Sequence, residues 1–201
     1  MNKELLIKIN KPVFNNLDMI ESYGNHVVKF KPTRHQSVPI SRSNEYFGWS
    51  LMNSTGNVED DVKRPKHRNP TSKYFTPACD EYFKNVIKTL EDQNFEPRRC
   101  RILQLNNSDK LTMWGSGNKP NTWRIHIPIY TTPEAMFEWE YEGNQYSYHI
   151  PADGSMYAVR IDIPHRHVNY SINPRIHFVC GTTYKFSNSF PNSTTLLELE
   201  S

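Results

Sequence analysis

Two stretches hold the residues best suited to chemistry. The first is Trp123-Arg124-Ile125-His126-Ile127-Pro128-Ile129-Tyr130, where a guanidinium and an imidazole alternate with isoleucines. Side chains of a strand alternate between its faces, so Arg124 and His126 share one face and the isoleucines the other. The second runs from Gly154 through Asp162-Ile163-Pro164-His165-Arg166-His167-Val168-Asn169 to Arg175. Pro164 cannot donate to a ladder, which favours a loop or strand edge and puts the His165 imidazole at the mouth of a sheet. Neutral imidazole is a common metal ligand. A guanidinium at Arg175, at the head of the apolar run Ile176 to Cys180, can grip a carboxylate bidentately. Arg124, His126 and Arg175 would then form an anion pocket inside a barrel. His167 points to the same face as His165 in an extended chain, as in a cupin-like His-x-His metal site, but no Glu follows at the cupin spacing. His167 therefore reads as a supporting or structural residue. The bland alternatives are a surface or hydrogen-bonded His165 and a strand-edge salt bridge at Arg175.

These residues need a β scaffold, and the patterning supplies one. Leu5 to Ile9 and His26 to Phe30 read as early strands. Residues 31–74 form a loop-rich excursion, with Tyr46 to Met52 as its one apolar run. A helix follows, with Thr76 as N-cap, Pro77 at the first helical position, and Asn94 with Pro97 stopping it. Cys79, Tyr82, Phe83, Val86, Ile87 and Leu90 recur at spacings of three and four, a single stripe for packing on a sheet. Strands are then expected over Cys100 to Leu105, Lys110 to Trp114, Trp123 to Tyr130, Met136 to Tyr141, Gln145 to Ile150, Ser155 to Ile161, His167 to Ser171 and Arg175 to Tyr184. Glu142-Gly143-Asn144 gives a hairpin signal. The fold class is mainly β, a double-stranded β-helix (jelly roll) with one main flanking helix. Residues 188–201 read as a tail or a partner-docking segment.

With 201 residues and a net charge of +3, a single domain spanning 1–201 is the default, and no highly charged partner is implied. The one basic cluster, Lys63-Arg64-Pro65-Lys66-His67-Arg68, is short and broken by proline, so nucleic acid is not an expected partner. No segment has the length and apolarity of a membrane span, and residues 1–10 do not form a signal peptide. Three cysteines, Cys79, Cys100 and Cys180, make no disulfide framework and no close metal-ligand pair; they read as thiols of a cytoplasmic protein. Abundant Asn and scarce Ala fit an AT-rich viral or bacterial genome.

In order and spacing, the set Arg124-x-His126 with Pro128, then Gly154, His165, Asn169 and Arg175, resembles the aspartyl/asparaginyl β-hydroxylase family of 2-oxoglutarate/Fe(II) dioxygenases, which includes bacterial proline hydroxylases. The resemblance spans roughly Tyr74 to Tyr184. It implies that His165 is the distal metal ligand, that Arg175 binds the distal carboxylate of 2-oxoglutarate, and that His126, Arg124 and Asn169 help hold the cosubstrate. It implies hydroxylation of an amino-acid or peptide side chain, with 2-oxoglutarate and Fe(II) as cofactors if the chain is active. The family also carries a His and a carboxylate upstream of the Arg-x-His element. Counting back by its spacing lands on Gly115 and Gly117, and shifting the register by one gives Trp114 and Ser116. None of these ligates iron. His167, His149 or Asp162 would have to supply the missing donors. The alternative is a catalytically silent jelly roll, without cofactor, that binds a small carboxylate or a protein partner, as a virion or assembly component would.

Overall fold

The computed structural model describes residues 3–30, 33–34, 46–53, 56, 74–107, 123–182, 190 and 192–199. Most of the 31–74 excursion, the expected strand Lys110 to Trp114, and Gly115 and Gly117 lie outside these residues.

In chain order the elements are β1 (Glu4–Ile9), α1 (Asn16–Lys29), β2 (Thr33–Arg34), β3 (Tyr46–Ser50), β4 (Met52–Asn53), β5 (Tyr74–Phe75), α2 (Glu81–Asp92) and β6 (Arg98–Leu105). They continue with β7 (Trp123–Tyr130), β8 (Ala135–Tyr141), β9 (Asn144–His149), β10 (Met156–Arg160), β11 (His165–Asn169), β12 (Arg175–Gly181) and β13 (Ser193–Glu198). Eight strands form a large sheet in the order β13-β1-β10-β7-β12-β6-β3-β2, and β11-β8-β9 form a smaller one. This is the expected jelly roll, with the catalytic-type side chains on the strands β7, β11 and β12.

Strand alternation divides the large sheet into two chemically different faces. Ile125, Ile127 and Ile129 of β7, Ile176, Phe178 and Cys180 of β12, and Cys100 and Ile102 of β6 join one apolar core. Helix α2 lays Phe83, Val86, Ile87 and Leu90 into that core, each at 2% exposure or less. Each such side chain contributes about 2 kcal/mol of transfer free energy. The opposite face meets the small sheet through a second core that includes Leu6, Tyr157, Val159, Phe137 and Trp139. The residues of opposite parity on β7 and β12 are therefore left to line the space between the sheets.

Several expectations need correction. His26 to Phe30 is not a strand; His26 to Lys29 close helix α1, whose N-cap Asn15 accepts from the Leu17 N–H at 3.0 Å. The helix buries Met19, Ser22 and His26 while Leu17 and Val28 are exposed. Two of these three buried residues are polar, so the period of 3.6 is masked in the sequence and the β-branched Val27-Val28 pair dominates.

The N-cap of α2 is Asp80, which accepts from the Phe83 N–H at 2.9 Å; it is not Thr76. Thr76 instead donates its hydroxyl to the Ser50 carbonyl at 2.6 Å and accepts from the Ala78 N–H, which makes a separate turn before the helix. The 188–201 segment is not a free tail, since β13 within it pairs antiparallel with β1.

The hairpin at Glu142-Gly143 has both residues at positive φ, 49° and 81°, as a two-residue turn between twisted strands requires. Cys79, Cys100 and Cys180 are free, buried thiols.

Candidate active site

Strand β12 pairs with β7 so that Val179 lies opposite His126, and His177 opposite Pro128. Strand β11 pairs with β8, with His165 opposite Trp139 and His167 opposite Phe137. Between the two sheets the Phe137 ring gathers three imidazoles. It stacks on His165 at 5.6 Å between centroids, meets His167 edge-on at 4.5 Å and meets His126 edge-on at 5.9 Å. The His126 and His167 rings are 5.8 Å apart. A fourth imidazole, His177, lies 5.6 Å from His126.

Arg175 anchors this cluster. It is 2% exposed, and its Nη2 donates to Nδ1 of His177 at 3.0 Å. A guanidinium is always protonated, so His177 Nδ1 is the acceptor and its proton sits on Nε2. The His126 Nδ1 lies 3.4 Å from the same atom. Among the described residues, Nε2 of His126 and Nε2 of His177 are buried and have no hydrogen-bond partner.

Electrostatics keep the four imidazoles neutral. Burial depresses the pKa of His126 strongly, and the positive charges of Arg175 and Arg124 lower it further, as protonation of the nearby His165 would. His167 and His177 are likewise pushed well below the ordinary range, first by burial and then by Arg175 and neighbouring imidazoles. His165 falls to about 4, again chiefly through burial; its bond to the Ile163 carbonyl and the charge of Asp162 partly oppose the shift, and Arg124 reinforces it. The guanidinium of Arg175 acts on all three of His126, His167 and His177. Such a site favours an anion and gives a carboxylate strong, poorly screened hydrogen bonds.

The structure thus brings together His126, His165, His167 and Arg175, with Arg124 close enough to act on His126 and His165. Three other candidates are committed elsewhere. Asn169 is fully buried; its amide donates to the carbonyls of Leu105 at 3.1 Å and Asn173 at 2.8 Å, and its oxygen accepts from the Ser171 N–H at 3.1 Å. It ties the turn before Arg175 to β6.

Asp162 faces Arg160, at 2.7 Å to Nε and 3.4 Å to Nη2. His149 approaches the Ala135 carbonyl at 3.1 Å. Gly154 has a packing role, at φ +77°, where an added Cβ would collide with the Phe14 carbonyl.

His177 and Phe137 escaped the sequence reading. His177 had a usable signal, because it shares parity with Arg175 and is the one polar residue in the run Ile176 to Cys180. Phe137 had none, since nothing local marks an aromatic ring as the partner of three distant imidazoles.

Solved structures share this architecture. The chain resembles a 2OG-Fe(II) oxygenase family oxidoreductase from Burkholderia pseudomallei at a TM-score of 0.53 and 14% identity, covering 88% of this chain and 80% of that one. The chain has the fold of a 2-oxoglutarate/Fe(II) oxygenase. HygX from Streptomyces hygroscopicus, solved with nickel and 2-oxoglutarate bound, gives 0.49 at 9% identity, covering 90% and 84%. A Pseudomonas putida prolyl-4-hydroxylase gives 0.47 at 8% identity, covering 89% and 92%. No protein-family model matches the sequence, and no curated protein matches it. Among the described residues, no helix is long and apolar enough to cross a membrane.

Iron in such a barrel needs about three convergent donors. The His165 Nδ1 donates to the Ile163 carbonyl at 2.8 Å, so Nε2 is the acceptor nitrogen of that ring. Among the described residues, however, no three His, Cys, Asp or Glu side chains group so as to hold a metal ion. Residues 108–122, where the family's first ligands would fall, contain no His and one carboxylate, Asp109. The described donor set does not fit a two-His, one-carboxylate iron site.

Proposed function

We propose that this chain is a dioxygenase-type barrel, of the aspartyl/asparaginyl and proline hydroxylase kind, that binds 2-oxoglutarate or a close dicarboxylate. Arg175 takes the distal carboxylate, and His126 and Arg124 face the rest of the molecule. One observation carries this reading: the buried Arg175 guanidinium is held at 3.0 Å by His177 within a cluster of neutral imidazoles under a positive field. Neutral imidazoles supply polar contacts and bring no negative charge of their own to the guanidinium. If iron is held at His165, the substrate is an amino-acid or peptide side chain that the cosubstrate's oxidation hydroxylates.

A second reading is a catalytically silent barrel that keeps its carboxylate pocket. The glycines at 115 and 117 and the lack of a three-donor set among the described residues favour it. Titration calorimetry of the full chain with 2-oxoglutarate, with and without Fe(II), tests both. Saturable binding that Arg175→Ala abolishes supports the pocket, and no heat in the folded protein sinks it. Near-stoichiometric iron with cosubstrate consumption, both lost in His165→Ala, selects the hydroxylase. Binding of 2-oxoglutarate without iron retention selects the silent barrel.

A further inference from the structure

Arg175 and His126 are two of the residues through which the proposed pocket would meet a carboxylate, and His177 stands between them. Its Nδ1 lies 3.0 Å from Arg175 Nη2 and 3.4 Å from His126 Nδ1. Both contacts converge on one lone pair, in a setting where His126 is 1% and His177 0% exposed. The guanidinium hydrogen must point at an acceptor, so His177 carries no proton on Nδ1. Two nitrogen lone pairs facing each other at this distance would repel, so the proton of neutral His126 sits on its Nδ1. That leaves His126 Nε2 as a buried acceptor and His177 Nε2 as a buried donor, and neither has a partner among the described residues. Buried polar atoms left in this way cost free energy and concentrate at functional sites.

We propose that His177 is the positioning residue of the pocket, aiming the Arg175 guanidinium and fixing His126 in the tautomer that presents an acceptor at Nε2. This rests on the carboxylate-binding reading only for its effect on affinity; the tautomers belong to the unliganded protein. Register explains why His177 can do this. On β12 it has the parity of Arg175, so both side chains enter the same face, and pairing of β12 with β7 brings that face beside His126.

Two measurements test it. The first is two-bond proton–nitrogen correlation of the imidazoles in the ¹⁵N-labelled full chain without ligand. The expected spectrum has His177 protonated on Nε2 and His126 on Nδ1. A proton on Nδ1 of His177, or a charged His177 at neutral pH, overturns the proposal.

The second compares His177→Asn, whose Oδ1 can stand where Nδ1 stands, with His177→Phe, which fills the space without an acceptor. Affinity for 2-oxoglutarate should stay within about threefold in His177→Asn and fall by roughly tenfold or more in His177→Phe at similar thermal stability. Wild-type affinity in His177→Phe, or equal loss in both folded variants, overturns it. If His177→Phe does not fold, the spectrum decides. If the unsubstituted chain has no affinity for 2-oxoglutarate, the carboxylate-binding reading fails and the spectrum still decides the role of His177.

Discussion

Arg175 and His177, two residues apart on one strand, share a hydrogen bond of 3.0 Å between guanidinium Nη2 and imidazole Nδ1. The bond uses one of five guanidinium hydrogens and fixes the plane of the remainder. A guanidinium anchored in this way has already given up side-chain freedom that an unanchored arginine would lose on binding, as the proposed carboxylate site requires.

A lysine at this position keeps the charge but cannot serve His177 and a carboxylate from one rigid plane. Arg175→Lys is expected to bind 2-oxoglutarate roughly tenfold more weakly than the unsubstituted chain. Calorimetric titration reads this directly, and unchanged affinity would remove Arg175 from the pocket.

The neutral imidazoles couple stability to acid. A histidine whose folded pKa lies below its unfolded value of about 6.5 takes up its proton more readily unfolded, so folding is favoured above that value and loses stability as pH falls. For His165, with a folded value of about 4, the loss accumulates between pH ~6.5 and ~4 and amounts to roughly 3 kcal/mol. His126, His167 and His177 shift in the same direction and add to it. Urea unfolding at a series of pH values checks the slope, and a flat profile across this window would contradict the neutral cluster.

Asp162 separates a structural role from a metal-binding one. Its pair with Arg160 is almost wholly buried, with side-chain exposures of 6% and 5%. Asp162→Asn removes the negative charge from this buried pair and is expected to cost about 3 kcal/mol of stability. Affinity for 2-oxoglutarate should change by less than about twofold, because the carboxylate faces Arg160. Denaturant unfolding and titration of the same sample give both values, and a stable variant with lost affinity would reverse the assignment.

Gly154 offers a test of the frame that holds β10. Its φ of +77° lies in the left-handed region, its carbonyl accepts from the Phe14 N–H at 2.8 Å, and a Cβ there would overlap the Phe14 backbone. Gly154→Ala is expected to lower stability by roughly 2 to 4 kcal/mol. A thermal melt that matches the unsubstituted chain would show that the 11–15 segment can move away at little cost.

The sequence by itself determined what local periodicity encodes. Alternation along Trp123–Tyr130 separates Arg124 and His126 from the isoleucines, the stripe of Phe83, Val86, Ile87 and Leu90 makes α2, and Gly143 makes a hairpin between β8 and β9. The order of Gly154, His165, Asn169 and Arg175 pointed to an oxygenase-like jelly roll. Helix α1 was hidden because its buried face includes Ser22 and His26, whose burial depends on partners such as Asp80 and Trp49 far along the chain.

Only the tertiary structure decided which groups the motif residues meet. Asn169 and Gly154 occupy motif positions, yet one braces a turn with three hydrogen bonds and the other admits a neighbouring backbone. His177 carries no motif signal, yet it joins Arg175 to His126. A residue's type and spacing set which face it occupies; the group it meets there depends on the register between strands distant in sequence, and β7 and β12 set that register through pairing that no local pattern encodes.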